Sequence, residues 1–172
     1  MNADDAIAFF ELHQPMPPDT SLTEELIRNY DEARQQLERH PDPRGLTAIL
    51  NSFGDGDGFG VYPLVADTLR AYPRDEVVRA LAQSLRSPVP SVRAWSMDVA
   101  QEYVDPMLVV PALELLAEQD RDMRVFAAYF LTALEAPSSV VVGAMRNALR
   151  REDDDEIKSV IHDWLQKAVE NS

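Results

Sequence analysis

The stretch of this chain richest in chemical possibility is Asp55-Gly56-Asp57-Gly58-Phe59-Gly60-Val61-Tyr62, in which carboxylates alternate with glycines and aromatic rings follow. Four of the six glycines in the chain fall between Phe53 and Val61. Alternating acids in a glycine loop are how a calcium site begins. A twelve-residue EF-hand loop opening at Asp55 would need its bidentate acid at position 66, which is Ala66. A phosphate cradle fits no better, because it lacks the lysine and hydroxyl of a P-loop and its two aspartates repel phosphate. Two readings remain. The glycines can serve a wide turn that needs positive φ, or Asp55, Asp57, Phe59 and Tyr62 can form an exposed edge that meets an Arg or Lys of a partner.

No reactive centre accompanies this edge. The three histidines, His13, His40 and His162, never stand at the i, i+4 spacing of a helical metal pair. Cysteine is absent, which removes thiolate nucleophiles and zinc-thiolate sites. No serine stands in a nucleophile-elbow context, and acids are too numerous for any pair to mark acid-base catalysis. The expectation is a protein that is not an enzyme, with no cofactor and no bound metal.

Charge bears on the partner. Thirty Asp and Glu against 16 Lys and Arg leave a formal charge of -14 over 172 residues, a strong negative field around so small a body. Nucleic acid is disfavoured, since polyanion binding draws on clustered Lys and Arg that this chain does not have. A basic protein is the expected partner. Asp4 and Asp5 occupy the place where a secretory signal carries positive charge, and no apolar run approaches the roughly 18 residues of a membrane span. A cytoplasmic location and no membrane association are expected.

The elements that must position these residues are helices. Hydrophobic residues make up 45% of the chain, enough for a continuous core, and they recur at three and four with no strand-like alternation. Val78, Leu81, Ala82 and Leu85 stripe one helix. After a break at Ser87 to Pro90, Val92, Trp95, Ser96, Val99 and Ala100 stripe a second. Leu108, Ala112, Leu113 and Leu116, then Met123, Phe126, Ala127, Phe130 and Leu131, repeat the arrangement around a turn marked by Asp120 and Asp122. The anchors Val92 and Met123 lie 31 residues apart, near the period of helical repeats.

The anchor recurs at Ile157, after an acidic run from Glu152 to Glu156 read as a solvated turn, and counting back by the same step reaches Val61. A helix from Arg44 to Phe53 would precede Val61, with Leu64, Val65, Thr68 and Leu69 following it. Before the array, Ser21 and Glu24 read as a capping box opening a helix through Leu26, Ile27, Tyr30, Ala33 and Leu37. A shorter helix is expected around Asp4 to His13.

Stacked repeats bring equal offsets into columns. One position after the anchor the column reads Tyr62, Arg93, Arg124, Lys158. Five positions after, it reads Ala66, Met97, Ala128, His162, and six after, Asp67, Asp98, Tyr129, Asp163. These columns predict a mixed inner wall whose charges either satisfy one another across repeats or grip a protein surface.

A helix, a short turn with Pro or Asp, then a basic residue after an apolar anchor resembles the HEAT repeat family. Ser91-Val92-Arg93-Ala94-Trp95-Ser96 and Asp122-Met123-Arg124-Val125-Phe126-Ala127 carry the likeness, Ile157-Lys158 keeps the charge, and Val61-Tyr62 departs from it. The resemblance implies an all-α fold, an α-α superhelix of about four helical pairs over residues 43–172 behind an N-terminal helical cap at 1–42. It also implies that Arg93 and Arg124 join neighbouring repeats through acidic partners.

The Phe53 to Tyr62 turn is similar to that of small bacterial HEAT-like proteins, some of which act as immunity proteins beside secreted toxins. That likeness implies a non-catalytic protein-binding scaffold with an immunity or regulatory role. Other HEAT-like families include DNA glycosylases and bilin lyases, the alternatives the same resemblance leaves open.

Overall fold

In a computed structural model, which describes the backbone of residues 1–170 and the side chains of 1–167, the chain is helical throughout, with no strand among the described residues. It divides into two compact units, Met1–Val99 and the residues from Ala100 onward.

The first unit begins with α1 (Ala3–Leu12), α2 (Glu24–Arg39) and α3 (Pro43–Leu50). In α2 the buried residues Tyr30, Ala33, Arg34 and Leu37 recur at three and four, the spacing that places them on one face. Arg34 enters that face because its charge is matched: Asp31 and Glu38 lie at 2.7 and 2.9 Å on the same helix, and Thr68 accepts a further hydrogen bond at 3.2 Å. Helix α3 starts where Asp42 caps and Pro43 pre-sets φ, and it buries Leu46, Ile49 and Leu50. It ends at Leu50, so Phe53, expected inside the helix, sits in the following turn and is still fully buried.

Two helix starts differ from expectation. The helix containing Tyr30 is capped by Thr23, whose hydroxyl accepts the Leu26 N–H at 3.2 Å. Ser21 is taken up in a 3-10 turn over Asp19–Ser21 and cannot reach. The reciprocal box lies instead on α1, where Asn2 and Asp5 exchange bonds of 2.9 and 3.1 Å.

The helix expected to begin at Val61 is also reduced, because α4 spans only Val65–Leu69. Pro63 disfavours helical backbone at the residue before it, and the positive φ of Gly60 (88°) breaks any helix entering from upstream. The unit continues with α5 (Arg74–Ser84), burying Val77, Val78 and Leu81, and α6 (Pro90–Ala100), most of which lies within it.

The second unit holds α7 (Val109–Leu115), α8 (Arg121–Thr132), α9 (Ser139–Arg151) and α10 (Asp155–Glu170). Asp120 caps α8, which buries Met123, Ala127, Phe130 and Leu131, the stripe read from the sequence with only Phe126 left partly open. Ile157, Ile161 and Leu165 form the buried side of α10. Helix α8 packs on both α7 and α10, and α9 packs on α10.

No described helix is long and apolar enough to cross a membrane.

Candidate functional site

The glycine-rich segment is a fixed loop, held by bonds from residues more than thirty positions away in both directions along the chain. On one side Met16 N–H donates to the Ser52 carbonyl at 2.9 Å and Asp19 N–H to the Asp55 carbonyl at 3.2 Å. The Asp19 carboxylate accepts the Asp57 and Gly58 N–H groups, each at 3.1 Å. On the other side α6 contributes Ser91, whose hydroxyl donates to the Phe53 carbonyl at 2.9 Å, and Trp95, whose indole N–H donates to the Gly56 carbonyl at 3.0 Å.

These anchors impose left-handed backbone on four residues. Gly56, Gly58 and Gly60 take φ of 95, 60 and 88°, and Phe59 takes φ 52°, ψ 38°. Glycine adopts such values without penalty; Phe59 does not. The glycine at 56 answers a second need, since a Cβ there would collide with the Asp19 carboxylate.

The strained residue is also the exposed one. Phe59 shows 64% of its surface to solvent. Asp55 and Asp57 are exposed in the same loop, and neither makes an ion pair among the described residues. The loop therefore presents an aromatic ring and two unpaired carboxylates on a backbone pinned from beneath.

Tyr62, expected on this edge, is a correction: its side chain is fully buried. Its ring lies 5.4 Å from Tyr30, 5.6 Å from Phe53 and 5.7 Å from Trp95, all edge-to-face, and Phe53 stacks on Trp95 at 5.8 Å. Phe10 extends the cluster to Tyr30 at 5.1 Å. The turn after Gly60 places Tyr62 in this cluster, where the fully buried rings of Phe10, Tyr30, Phe53 and Tyr62 each contribute about 2–3 kcal/mol through burial. Burial, with the nearby carboxylates of Asp19, Asp55 and Asp57 adding to it, holds the Tyr62 phenol at about 12.

The columns of the expected wall separate into distinct fates. Met97 is a second correction, being fully buried because Val92, Ser96, Met97, Val99 and Ala100 bury a broad arc of α6 instead of a narrow stripe. Asp98 is half-buried. Tyr129 is 42% exposed with its hydroxyl 3.4 Å from Glu156, and His162 is exposed beside Gln166 at 2.8 Å.

The three cations share one task. Arg93 donates to the Ser87 carbonyl at 2.8 Å, Arg124 to the Glu118 and Gln119 carbonyls at 3.3 and 2.7 Å, and Lys158 to the Asp153 carbonyl at 3.1 Å. Each reaches back five or six residues to tie the turn that precedes its own helix.

Arg124 does more. Its Nε and Nη2 meet the two oxygens of Glu152 at 2.9 and 3.0 Å, with only 15 and 5% of the two side chains exposed. This bidentate bond joins α8 to the connection after α9. The guanidinium holds the Glu152 carboxyl below its usual range, helped by the Asp153 and Asp154 N–H groups and opposed by burial.

The acid run from Glu152 to Glu156 is accordingly more than a solvated turn. Besides Glu152, Asp154 accepts the Glu156 and Ile157 N–H groups at the start of α10, and Arg121 bridges Asp154 and Glu156 at 2.7 and 2.6 Å.

Sequence reasoning missed Asp19 and the roles of Ser91 and Trp95. Nothing local marks Asp19, whose partners lie 38 and 39 residues away. Trp95 had a usable signal, since an indole N–H near a core needs an acceptor. Among the described residues no cluster of three or more His, Asp or Glu is arranged to hold a metal ion.

No family model matches the chain, and no curated protein matches it.

Proposed function

We propose that the protein is a non-catalytic binding scaffold that engages a basic protein partner through the Asp55 to Gly60 loop, in an immunity or regulatory role. The observation that carries the reading is Phe59, an exposed aromatic kept in left-handed backbone by a loop bonded on both sides. Such strain costs about 1–2 kcal/mol and persists only where the surroundings enforce it. A ring flanked by unpaired carboxylates suits a guanidinium or ammonium, which can lie on the π face while the acids take its hydrogen bonds. The formal charge of -14 adds long-range steering toward such a partner.

The scaffold in this reading is a short HEAT-like α-α superhelix of the pairs α3/α4, α5/α6, α7/α8 and α9/α10. Its support is the shared device of Arg93, Arg124 and Lys158, one residue after the anchors Val92, Met123 and Ile157, bonded to the preceding turn. The same device engages these cations with the protein's own carbonyls, which leaves little for a nucleic-acid backbone. A cytoplasmic setting and a toxin-like partner belong to the same proposal.

The test is direct titration of the chain with purified basic proteins encoded by flanking genes, at low and high salt. The reading expects one of them to bind, with affinity falling at high salt and falling again in Asp55→Asn/Asp57→Asn. Binding that ignores both the salt and the substitutions, or no binding by any flanking product, counts against it.

A further inference from the structure

Each aspartate of the loop stands before a glycine, and Asp55-Gly56 and Asp57-Gly58 are the only Asp-Gly pairs in the chain, which has no Asn-Gly. An aspartate in this setting can react with its own backbone. The amide nitrogen of the following residue attacks Cγ of the protonated side-chain carboxyl; a C–N bond forms, a C–O bond breaks, and the hydroxyl leaves with the amide proton as water. Water then opens the five-membered imide at either carbonyl. One opening restores aspartate and the other gives isoaspartate, in which the main chain runs through the former side chain. The net change in mass is zero, and no oxidant or cofactor takes part. A following glycine favours the step because its backbone is permissive and no side chain crowds its nitrogen.

Packing fixes both glycines in place. A Cβ at Gly56 would collide with the Asp19 carboxylate, and one at Gly58 would come within 2.7 Å of the Tyr62 ring. The reactive pairs therefore follow from how the loop is packed.

The two pairs are held differently. Ring closure needs the next nitrogen on the Cβ side, reached by rotation about Cα–C, which turns the whole following peptide. After Asp57 that peptide carries three hydrogen bonds: Gly58 N–H donates to the Asp19 carboxylate at 3.1 Å, and the Asp57 carbonyl accepts the Gly60 and Tyr62 N–H groups at 3.1 and 3.3 Å. At the Asp57 ψ of 4° the Gly58 nitrogen eclipses the nitrogen of Asp57 itself, turned away from Cβ. After Asp55 the peptide carries one bond, from Asp19 N–H to the Asp55 carbonyl at 3.2 Å, and the Gly56 N–H that must attack donates to no group among the described residues. Both side chains are exposed, so backbone restraint is what separates them.

We propose that Asp55 is a site of spontaneous isoaspartate formation, and that the bonds to Asp19, Gly60 and Tyr62 confine the reaction to it by sparing Asp57. The two additional hydrogen bonds to be released at Asp57 correspond to a rate about tenfold lower or more. The product keeps its negative charge but adds a methylene to the main chain just before the Gly56 peptide whose carbonyl Trp95 holds. The inference rests on the loop's backbone and holds whatever the loop binds.

The test is incubation of the whole chain at neutral pH and physiological temperature, folded and in denaturant, continued until the denatured sample has reacted. Isoaspartate is detected by an isoaspartate-specific carboxyl methyltransferase with labelled S-adenosylmethionine. Electron-transfer fragmentation of the tryptic peptide over residues 45–70 assigns its position. In the folded chain isoaspartate should accumulate at 55 at least about tenfold faster than at 57, and in denaturant the two positions should react at similar rates. Asp55→Glu should remove most of the folded-state signal. Asp19→Ala, checked for folding by circular dichroism, should raise the rate at 57 toward that at 55; where that variant does not fold, the comparison of folded and denatured wild type decides alone. The proposal is overturned if the folded chain reacts at neither position, if 57 keeps pace with 55 in the folded chain, or if Asp19→Ala folds and leaves 57 as slow as in the wild type.

Discussion

Trp95 donates its indole N–H to the carbonyl of Gly56 at 3.0 Å, so a helix of the first unit holds the far side of a loop 39 residues upstream. The same ring stacks on Phe53 and meets Tyr62 edge-on. One side chain thus couples the aromatic cluster to the backbone that displays Phe59.

Replacing Trp95 with Phe keeps a ring for stacking and removes the donor. The Gly56 carbonyl lies at the surface and regains water, so the expected cost is about 1 kcal/mol of stability. Hydrogen exchange in residues 54–60 should accelerate more than in α2 or α5. Uniform acceleration across the unit would mean that Trp95 acts only through packing.

Tyr62 gives the first unit an alkaline limit. Its phenol is held at about 12, above the ordinary value of 10. A group whose folded value is raised contributes stability that is complete below the unfolded value, and that stability is lost as pH rises from about 10 through about 12. Buried Tyr30, also raised mainly by burial, acts in the same direction. Denaturant midpoints measured across that window should fall for the wild type and fall less steeply for Tyr62→Phe.

Arg124 and Glu152 set an acid dependence in the second unit. Because the folded Glu152 carboxyl is lowered, its contribution is present above the ordinary glutamate range and is lost as pH falls through and below it. Arg124→Ala leaves a carboxylate that is only 5% exposed without its partner, at a cost of about 2–3 kcal/mol. The variant should melt lower at neutral pH, and its deficit should shrink toward pH 3. A deficit that stays constant would assign the loss to packing of the arginine stem.

Local periodicity made most of the helices legible. The stripes through Tyr30, Val78, Met123 and Ile157 each mark a buried face, and Asp120 marks the start of α8. The basic residues Arg93, Arg124 and Lys158 each bond the turn before their own helix, and Arg124 also meets Glu152. What escaped depends on contacts distant in sequence. Tyr62 was read as exposed because it follows a polar glycine loop; rings from α2, the Phe53 turn and α6 converge to bury it. The cap at Thr23 was displaced from Ser21 by a 3-10 turn whose Asp19 serves the loop. Exposure of Asp55, Asp57 and Phe59 was legible; the strain at Phe59 was not, because backbone sign at a non-glycine residue has no signature in the sequence.

Phe59→Gly separates stability from recognition. Glycine accepts φ 52° freely and the lost ring is 64% exposed, so relief of backbone strain should outweigh lost burial and raise stability by about 0.5–1 kcal/mol. A basic flanking-gene product that binds the wild type should then bind this more stable variant at least about tenfold more weakly. Denaturation and titration of the same Phe59→Gly preparation make the most direct measurement: higher stability with lost binding is the predicted result, and unchanged binding would contradict the loop's role as the recognition surface.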